Sequence, residues 1–155
     1  KRMRGNGMKI LKENGLKVRF GLMEKEAYEI YKGYFFNRIK SRPMVSVKLA
    51  TSLDGKIAIR KNSFTQITQK DTQKYLHILR SEYDAILVGS NTVKIDDCKL
   101  NSRIEGLEKF SPIRVILNRE LDLQSNRNVF KNCKKFRTII FTQKKKIKKN
   151  ETFIK

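Results

Sequence analysis

The sequence predicts an α/β fold built on a parallel sheet. The prediction rests on short apolar-rich runs at residues 85–89 (AILVG), 114–117 (RVIL) and 138–141 (TIIF). Such runs are typical of strands that are buried on both faces of a parallel sheet. A segment with helical periodicity precedes the first run, and alternation of helices with strands is the pattern of α/β domains.

Composition restricts the classes of function. The chain has 155 residues, with 36 Lys or Arg and 15 Asp or Glu, which gives a net charge of +21. This charge raises nucleic-acid binding as a hypothesis. The basic residues are spread along the chain, and only residues 144–149 form a dense run, so we favour a solvated basic surface. A small basic nucleic-acid-binding domain stays open as the alternative.

The sequence contains no sign of a membrane or secretory segment. No apolar run approaches the ~18 residues of a membrane helix, and no apolar stretch follows the basic first residues. Cys98 and Cys133 are too few for a disulfide framework. We therefore expect a cytoplasmic, reduced setting and no membrane partner.

The first 42 residues predict a helix, a strand and a second helix. Residues 8–14 place apolar side chains on one side of a helix, which Gly15 would cap. Residues 16–20 alternate apolar and basic side chains, as a strand does. From Glu24 the apolar residues recur at intervals of three and four, and this helix must end before Pro43. We place a domain boundary between residues 42 and 43.

The segment after Pro43 leads into the α/β unit. Residues 45–50 alternate in polarity and predict a strand, and residues 53–55 (LDG) predict a turn. Residues 68–71 have the spacing of a capping box at the start of a helix. The side chains that this helix should turn inward are Tyr75, Leu76 and Leu79.

Ligands of an open α/β sheet bind beyond the carboxyl ends of its strands. The loops expected there are residues 50–56, 89–97 and 118–119. Gly89 would let a ligand approach the backbone, and Asp96 and Asp97 could act on a sugar or a proton. On spacing alone, a turn and helix-cap role explains the two aspartates better.

Other candidate residues have ordinary structural explanations on their own. Lys48 would lie on the polar face of a strand, and Arg80 would sit favourably at the end of a helix. His77 has no second His or Cys at metal-ligand spacing, so we interpret it as structural and predict no metal site.

The chain also contains, in order, the blocks RPMVSVKLATSLDGKIA, QIT, LRSEYDAILVGSNTVKIDDCKL and PIRVILN. In order and spacing they resemble the reductase domain of the bifunctional riboflavin-biosynthesis deaminase-reductase family. The upstream residues, RGNGMKILKENGLKVRFGLMEKEAYEIYKGYFFNRI, resemble the tail of the family's deaminase domain. The resemblance implies residues 1–42 as the C-terminal tail of a cytidine-deaminase-like domain and residues 43–155 as the N-terminal part of the reductase domain.

What the resemblance implies is a dihydrofolate-reductase-like fold and an NADPH-dependent reaction. The family reduces the ribosyl group of 5-amino-6-(5-phosphoribosylamino)uracil to a ribityl chain, and its parent proteins are also pyrimidine deaminases. It commonly assembles as a homo-oligomer. The deaminase zinc motifs, His-x-Glu and Pro-Cys-x-x-Cys, do not occur in this sequence, so zinc is expected only in a missing part.

The resemblance also implies site residues, position by position. Lys48 and Asp96 match residues that assist the reduction. The residues that would contact the cofactor are Ala50, Gln66, Thr92, Asp96 and Arg119. The residues that would contact the substrate are Ser63, Phe64, Arg80, Leu100 and Arg103.

The sequence departs from the family pattern at several of these places. Phe64 stands where the family usually has a substrate-binding Ser, and Ser63 could replace it with a shift of one residue. Arg119 follows the third strand where the family has Ser, and its charge suits the 2′-phosphate of NADPH. Cys98 replaces the proline of an Asp-Asp-Pro motif. The family's glycine-rich phosphate loop has no counterpart after Thr142, so we expect a piece of a longer enzyme, with an inactive remnant as the alternative.

Overall fold

The computed structural model describes residues 5–144. It divides into two compact units, Lys1–Lys48 and Leu49–Lys155, each with its own elements. Most of the dense basic run at residues 144–149 lies outside the described residues. Within the described part of the chain, no helix is both long and apolar enough to cross a membrane.

The first unit contains both predicted helices, α1 (Asn6–Glu13) and α2 (Glu24–Lys40). Gly15 ends α1 as predicted, with a left-handed backbone at φ 79°. Its N–H donates to the carbonyl of Lys12 at 3.0 Å, and the next N–H donates to the carbonyl of Leu11 at 3.1 Å. This pair of bonds is the Schellman motif, which satisfies carbonyls that the helix end leaves free.

The two alternating segments, residues 16–20 and 45–50, do not form the predicted strands. Their apolar side chains stay largely in solvent, with Val45 79% exposed and Val47 81% exposed. A strand needs a neighbour that completes its hydrogen-bond ladder, and neither segment has one within residues 5–144. Alternating polarity is typical of a strand, but it does not show whether a second strand is there to pair with it.

The second unit is built on the predicted parallel sheet. Its strands are β1 (Ala85–Gly89), β2 (Ile113–Leu117) and β3 (Thr138–Phe141), in the order β1-β2-β3. Both neighbouring pairs run parallel, and Val115 of β2 lies opposite Leu87 on one side and Ile139 on the other. The three carboxyl ends therefore meet at one edge of the sheet.

The core covers one face of this sheet. Its buried members are Val93, Leu100, Ile116, Val129 and Ile140. Ile86 and Val88 of β1 pack against them, whereas Leu87, on the other face, is 59% exposed. The prediction that β1 is buried on both faces is therefore wrong within the described residues, because nothing there covers its second face.

Two helices and two short 3-10 helices flank the strands. The helices are α3 (Lys70–Ser81) and α4 (Ser90–Asp96), and the 3-10 helices are Glu108–Phe110 and Asn128–Phe130. The segment at residues 89–97, expected as a loop, is thus mostly helical. The helix was not predicted because its seven residues begin with three polar side chains and are too few to show a clear helical periodicity.

The start and the inward face of α3 differ from the predictions. No capping box forms, because α3 begins at Lys70 and its N-cap is Gln69, one residue later than predicted, with no side-chain cap hydrogen bond. The predicted cap residue, Thr68, instead accepts from the side-chain amide of Gln66 at its carbonyl (2.7 Å) and its hydroxyl (3.2 Å). Tyr75 is exposed, and the buried residue of the helix is His77, at 8% exposure. Leu76 and Leu79 are half-buried.

An arginine joins the central strand to the loops around it. Arg114 is 1% exposed, and its guanidinium donates to the carbonyl of Phe136 at 2.6 Å. The same group reaches the carbonyls of Lys99 and Lys131, each at 3.4 Å. Backbone carbonyls thus solvate a buried cation that cannot lose its proton.

Candidate functional site

A cavity of about 290 Å³ lies in the second unit. Its walls come from the segment before α3, one face of α3, the end of α4 and the loop that follows. Among its lining residues are several that the resemblance implied, namely Phe64, Gln66, Arg80, Asp96, Leu100 and Arg103. The fold therefore brings together residues that are far apart in the chain.

Other predicted residues lie elsewhere. Ala50, Ser63, Thr92 and Arg119 do not line this cavity. Ser63 is exposed while its neighbour Phe64 forms part of the wall, so the shift of one residue does not bring Ser63 in. Arg119 is exposed and its Nε lies 3.1 Å from the carboxylate of Glu120. Lys48 belongs to the first unit.

Helix α3 supplies the polar wall of the cavity. Gln73, Leu76, His77 and Arg80 recur at helical spacing and line it together. The Nη1 atom of Arg80 lies 3.2 Å from Nδ1 of His77 and donates to the carbonyl of Asn101 at 3.4 Å. Burial, and then the charges of Arg80 and Arg103, lower the pKa of His77. Burial and Arg103 likewise lower the pKa of Arg80.

The end of α4 places two neighbouring aspartates in different surroundings. Asp97 caps the helix with a left-handed backbone at φ 43°. Its carboxylate accepts the backbone N–H of Asn128 at 2.9 Å and the side-chain amide of Asn128 at 2.6 Å. Asp96 lines the cavity, and burial raises the pKa of its carboxyl. The cap role expected for the pair therefore belongs to Asp97.

The loop after α4 completes the wall. Leu100 is 5% exposed and has φ 57°, an unusual backbone for a residue with a Cβ. It belongs both to the cavity wall and to the core, so the core fixes this turn of the chain. Cys98 lies beside it, and burial and then the charge of Asp96 raise the pKa of its thiol.

The cavity can bind an anion and hold a proton. The guanidinium groups of Arg80 and Arg103 suit a phosphate, and the carboxyl of Asp96 keeps its proton to higher pH than an exposed aspartate. No group of three or more His, Cys, Asp or Glu that could hold a metal ion occurs in residues 5–144.

Sequence reasoning missed part of the wall. The missed residues are Gln73, Leu76, His77, Cys98 and Lys99, whereas Asp97 is, with Asp96, among the predicted candidates. Gln73, Leu76 and His77 precede Arg80 by seven, four and three residues, so the helical face that carries Arg80 could have indicated them. Nothing in the sequence placed residues 97–99 opposite that face.

The sequence is similar to known proteins over most of its length. The family model of the RibD C-terminal domain matches residues 43–155. The riboflavin biosynthesis protein RibD of Aquifex aeolicus is 39% identical over 142 residues, which are 92% of this chain and 39% of that protein. RibD of Synechocystis is 33% identical over 119 residues, which are 77% of this chain and 32% of that protein.

Solved structures agree with these similarities. A diaminohydroxyphosphoribosylaminopyrimidine deaminase/5-amino-6-(5-phosphoribosylamino)uracil reductase of Thermotoga maritima matches with a TM-score of 0.82 and 33% identity, over 92% of this chain and 40% of that chain. Acinetobacter baumannii RibD matches with a TM-score of 0.79 and 28% identity, over 90% and 40%. The predicted α/β class of dihydrofolate-reductase-like fold is thereby confirmed.

Proposed function

The chain belongs to the family of the RibD C-terminal domain, and we propose that it is part of an NADPH-dependent 5-amino-6-(5-phosphoribosylamino)uracil reductase of riboflavin biosynthesis. Family membership itself implies a nucleotide cofactor and a small-molecule substrate. The chain spans 39% of the Aquifex relative and 40% of the Thermotoga chain. The proposal therefore concerns a contribution to the reaction of a longer protein.

The observation that carries the proposal is the set of charged groups around one cavity. Arg80 and Arg103 line it together with Asp96, although these residues come from α3, the loop at residue 103 and the end of α4. The proposed substrate has a phosphate for the arginines and a sugar carbon to be reduced nearby. A nucleic-acid-binding function has no comparable support.

The size of the cavity indicates which ligand it holds. Ligand pockets commonly measure roughly 300–1,000 Å³, so about 290 Å³ suits the phosphorylated substrate better than a whole dinucleotide. Gln66 and Asp96, which line the cavity, offer polar groups to a cofactor. Arg119, outside the cavity, is paired with Glu120, and it would exchange that carboxylate for the 2′-phosphate of NADPH. The residues present thus fit a phosphorylated cofactor.

Each residue has a distinct task in the proposed reaction. NADPH, when bound, supplies a hydride to C1′ of the sugar. The arginines orient the substrate through its phosphate. Asp96, whose carboxyl is partly desolvated, holds or delivers a proton next to the sugar. Lys48 assists the reduction, and Ala50 and Thr92 contact the cofactor. Phe64 and Leu100 provide apolar surface for the pyrimidine.

The test follows loss of NADPH absorbance when the chain is mixed with 5-amino-6-(5-phosphoribosylamino)uracil. We expect turnover, or NADPH binding if the chain alone does not turn over. Asp96→Asn should lower the rate about a hundredfold, the range of one acid or base group, without changing substrate affinity. Thr92→Ala, at a residue outside the cavity, should leave substrate affinity unchanged.

Two results would contradict the proposal. One is binding of NADH and NADPH with equal affinity; the other is an Asp96→Asn protein with full turnover. The cytoplasmic location, the homo-oligomer and the domain boundary at residue 43 stay predictions.

A further inference from the structure

His77 is the one histidine of the chain and lies on the cavity-facing side of α3. It is 8% exposed, and its backbone carbonyl accepts a hydrogen bond from the hydroxyl of Ser102 at 3.0 Å. Ser102 is itself completely buried. The histidine is thus fixed from the loop beyond α4 as well as by its own helix.

The contact between His77 and Arg80 favours one protonation state of the ring. A guanidinium has only donors, so a hydrogen bond between Nη1 of Arg80 and Nδ1 of His77, which lie 3.2 Å apart, requires Nδ1 to accept. An imidazole whose Nδ1 accepts carries its proton on Nε2 and is neutral. The charged groups that line the cavity with it are Arg80 on the same helix and Arg103, Asp96, Asp97 and Lys99 on other segments, with the Cys98 thiol beside them.

The acceptors of Arg80 are both uncharged. They are Nδ1 of His77 and the carbonyl of Asn101, at 3.2 and 3.4 Å. In the part of the chain that the structure describes, no carboxylate forms an ion pair with Arg80. A carboxylate at that place would orient the guanidinium but would also neutralise it, whereas a neutral ring orients it and leaves its charge for an anion.

We propose that His77 is a positioning residue, whose neutral ring holds the guanidinium of Arg80 in the orientation that binds the phosphate of the ligand. The inference rests on the proposed function only for the identity of that ligand. Its physical content is that anion binding in the cavity depends on an acceptor at the position of Nδ1.

The first test is the tautomer of the ring. Because the chain has a single histidine, its ¹⁵N ring resonances need no assignment by mutation. At pH 7.5 we expect the Nε2–H tautomer, and addition of inorganic phosphate should shift the Nδ1 resonance through Arg80. An Nδ1–H tautomer or a charged ring at this pH would overturn the proposal.

The second test measures the affinity of ribose 5-phosphate by calorimetry. Loss of a hydrogen bond to a charged group commonly costs about tenfold in affinity or more, so His77→Leu should weaken binding by about tenfold. His77→Asn places an amide oxygen near the position of Nδ1 and should restore affinity to within about threefold. Ribose without phosphate should not distinguish the variants.

A matched control separates positioning from stability. Leu79→Ala removes a half-buried side chain two residues along the same helix, without touching the cavity. If this variant weakens ribose 5-phosphate as much as His77→Leu, His77 has only a structural role. These tests need no turnover, so a chain that binds NADH and NADPH with equal affinity but passes them refutes the proposed function and leaves the inference intact.

Discussion

Asp96 and Asp97 adjoin in the chain, but their carboxylates meet different surroundings. Asp97 accepts two hydrogen bonds from Asn128, whereas Asp96 loses solvent at the cavity wall without a comparable donor. A spacing argument treats the pair as equivalent. Only the left-handed turn at Asp97 directs one carboxylate into the fold and leaves the other facing the cavity.

This difference predicts that Asp96 costs stability at neutral pH. A pKa raised in the folded state means that the ionised carboxyl is less favourable there than in the unfolded chain. The free energy of unfolding therefore gains most from Asp96 below the ordinary pKa of aspartate, where the carboxyl is protonated. This gain is lost as the pH rises through the raised pKa of the folded state. Asp96→Asn should therefore stabilise the protein at pH 7 by about 0.5 kcal/mol or less in urea unfolding. A loss of stability would contradict this.

His77 predicts a pH dependence of the opposite sign. Its pKa is lowered in the folded state, so the unfolded chain binds the proton more tightly. The free energy of unfolding should fall as the pH drops below roughly 6.5, the ordinary value for histidine. Urea unfolding at pH 7.5 and 5.5 measures this loss, and His77→Asn should lack it. Equal losses in both proteins would show that His77 is not responsible.

At the scale of elements, the sequence predicted the sheet better than the segments outside it. The strands at residues 85–89 and 138–141 match their apolar runs, and the 114–117 run lies within Ile113–Leu117. In these three segments the apolar sequence favours a strand, and the fold also supplies a neighbouring strand that pairs with it. Residues 45–50 have the alternating polarity of a strand but no strand to pair with in the described part of the chain. Helix α4 is the reverse case, because it packs against β1 although its sequence has only a weak helical pattern.

The same reasoning applies to the candidate site. The resemblance indicated Arg80 and Asp96 because their blocks keep family spacing. It did not indicate His77, which touches Arg80 through a helical turn. It also placed Thr92 and Arg119 among the cofactor residues, and no contact in the described residues tests that assignment. A local sequence pattern cannot predict contacts between segments that are far apart in the chain, such as α3 and the loop after α4.

The link between α4 and the 3-10 helix Asn128–Phe130 is a testable element-scale feature. The side-chain amide of Asn128 donates to both the carboxylate and the backbone carbonyl of Asp97. Asn128→Ala removes these bonds and leaves Asp97 short of a donor, which should cost about 1–3 kcal/mol in urea unfolding. Asn126→Ala, at an exposed position two residues earlier, should change stability by less than about 0.5 kcal/mol. Equal effects would refute the link.

At the scale of the whole molecule, the net charge of +21 is the dominant electrostatic feature. The ion pairs of the described residues are largely exposed, and such pairs contribute little. Repulsion among the cations therefore opposes folding. Raising sodium chloride from 0.05 to 0.5 M, a range in which the Debye length falls from above about 10 Å to below it, should raise the Tm by a few degrees.

Differential scanning fluorimetry at the two salt concentrations measures this effect. An uncharged osmolyte at matched osmolality is the control, because it does not screen charge. A Tm that falls with sodium chloride would mean that the ion pairs outweigh the repulsion, contrary to the prediction.

The carbonyls that surround Arg114 have a consequence for how the second unit opens. They belong to Lys99, in the loop after α4, and to Lys131 and Phe136, at the two ends of the loop that leads into β3, and neither loop can move away without depriving a buried cation of an acceptor. The amides of Lys131 and Phe136 should therefore exchange with deuterium only when the sheet itself opens. The amide of Leu107, in a turn that Arg114 does not touch, should exchange much faster. Arg114→Met should bring the protected amides towards the rate of Leu107, since the loops would then open one by one.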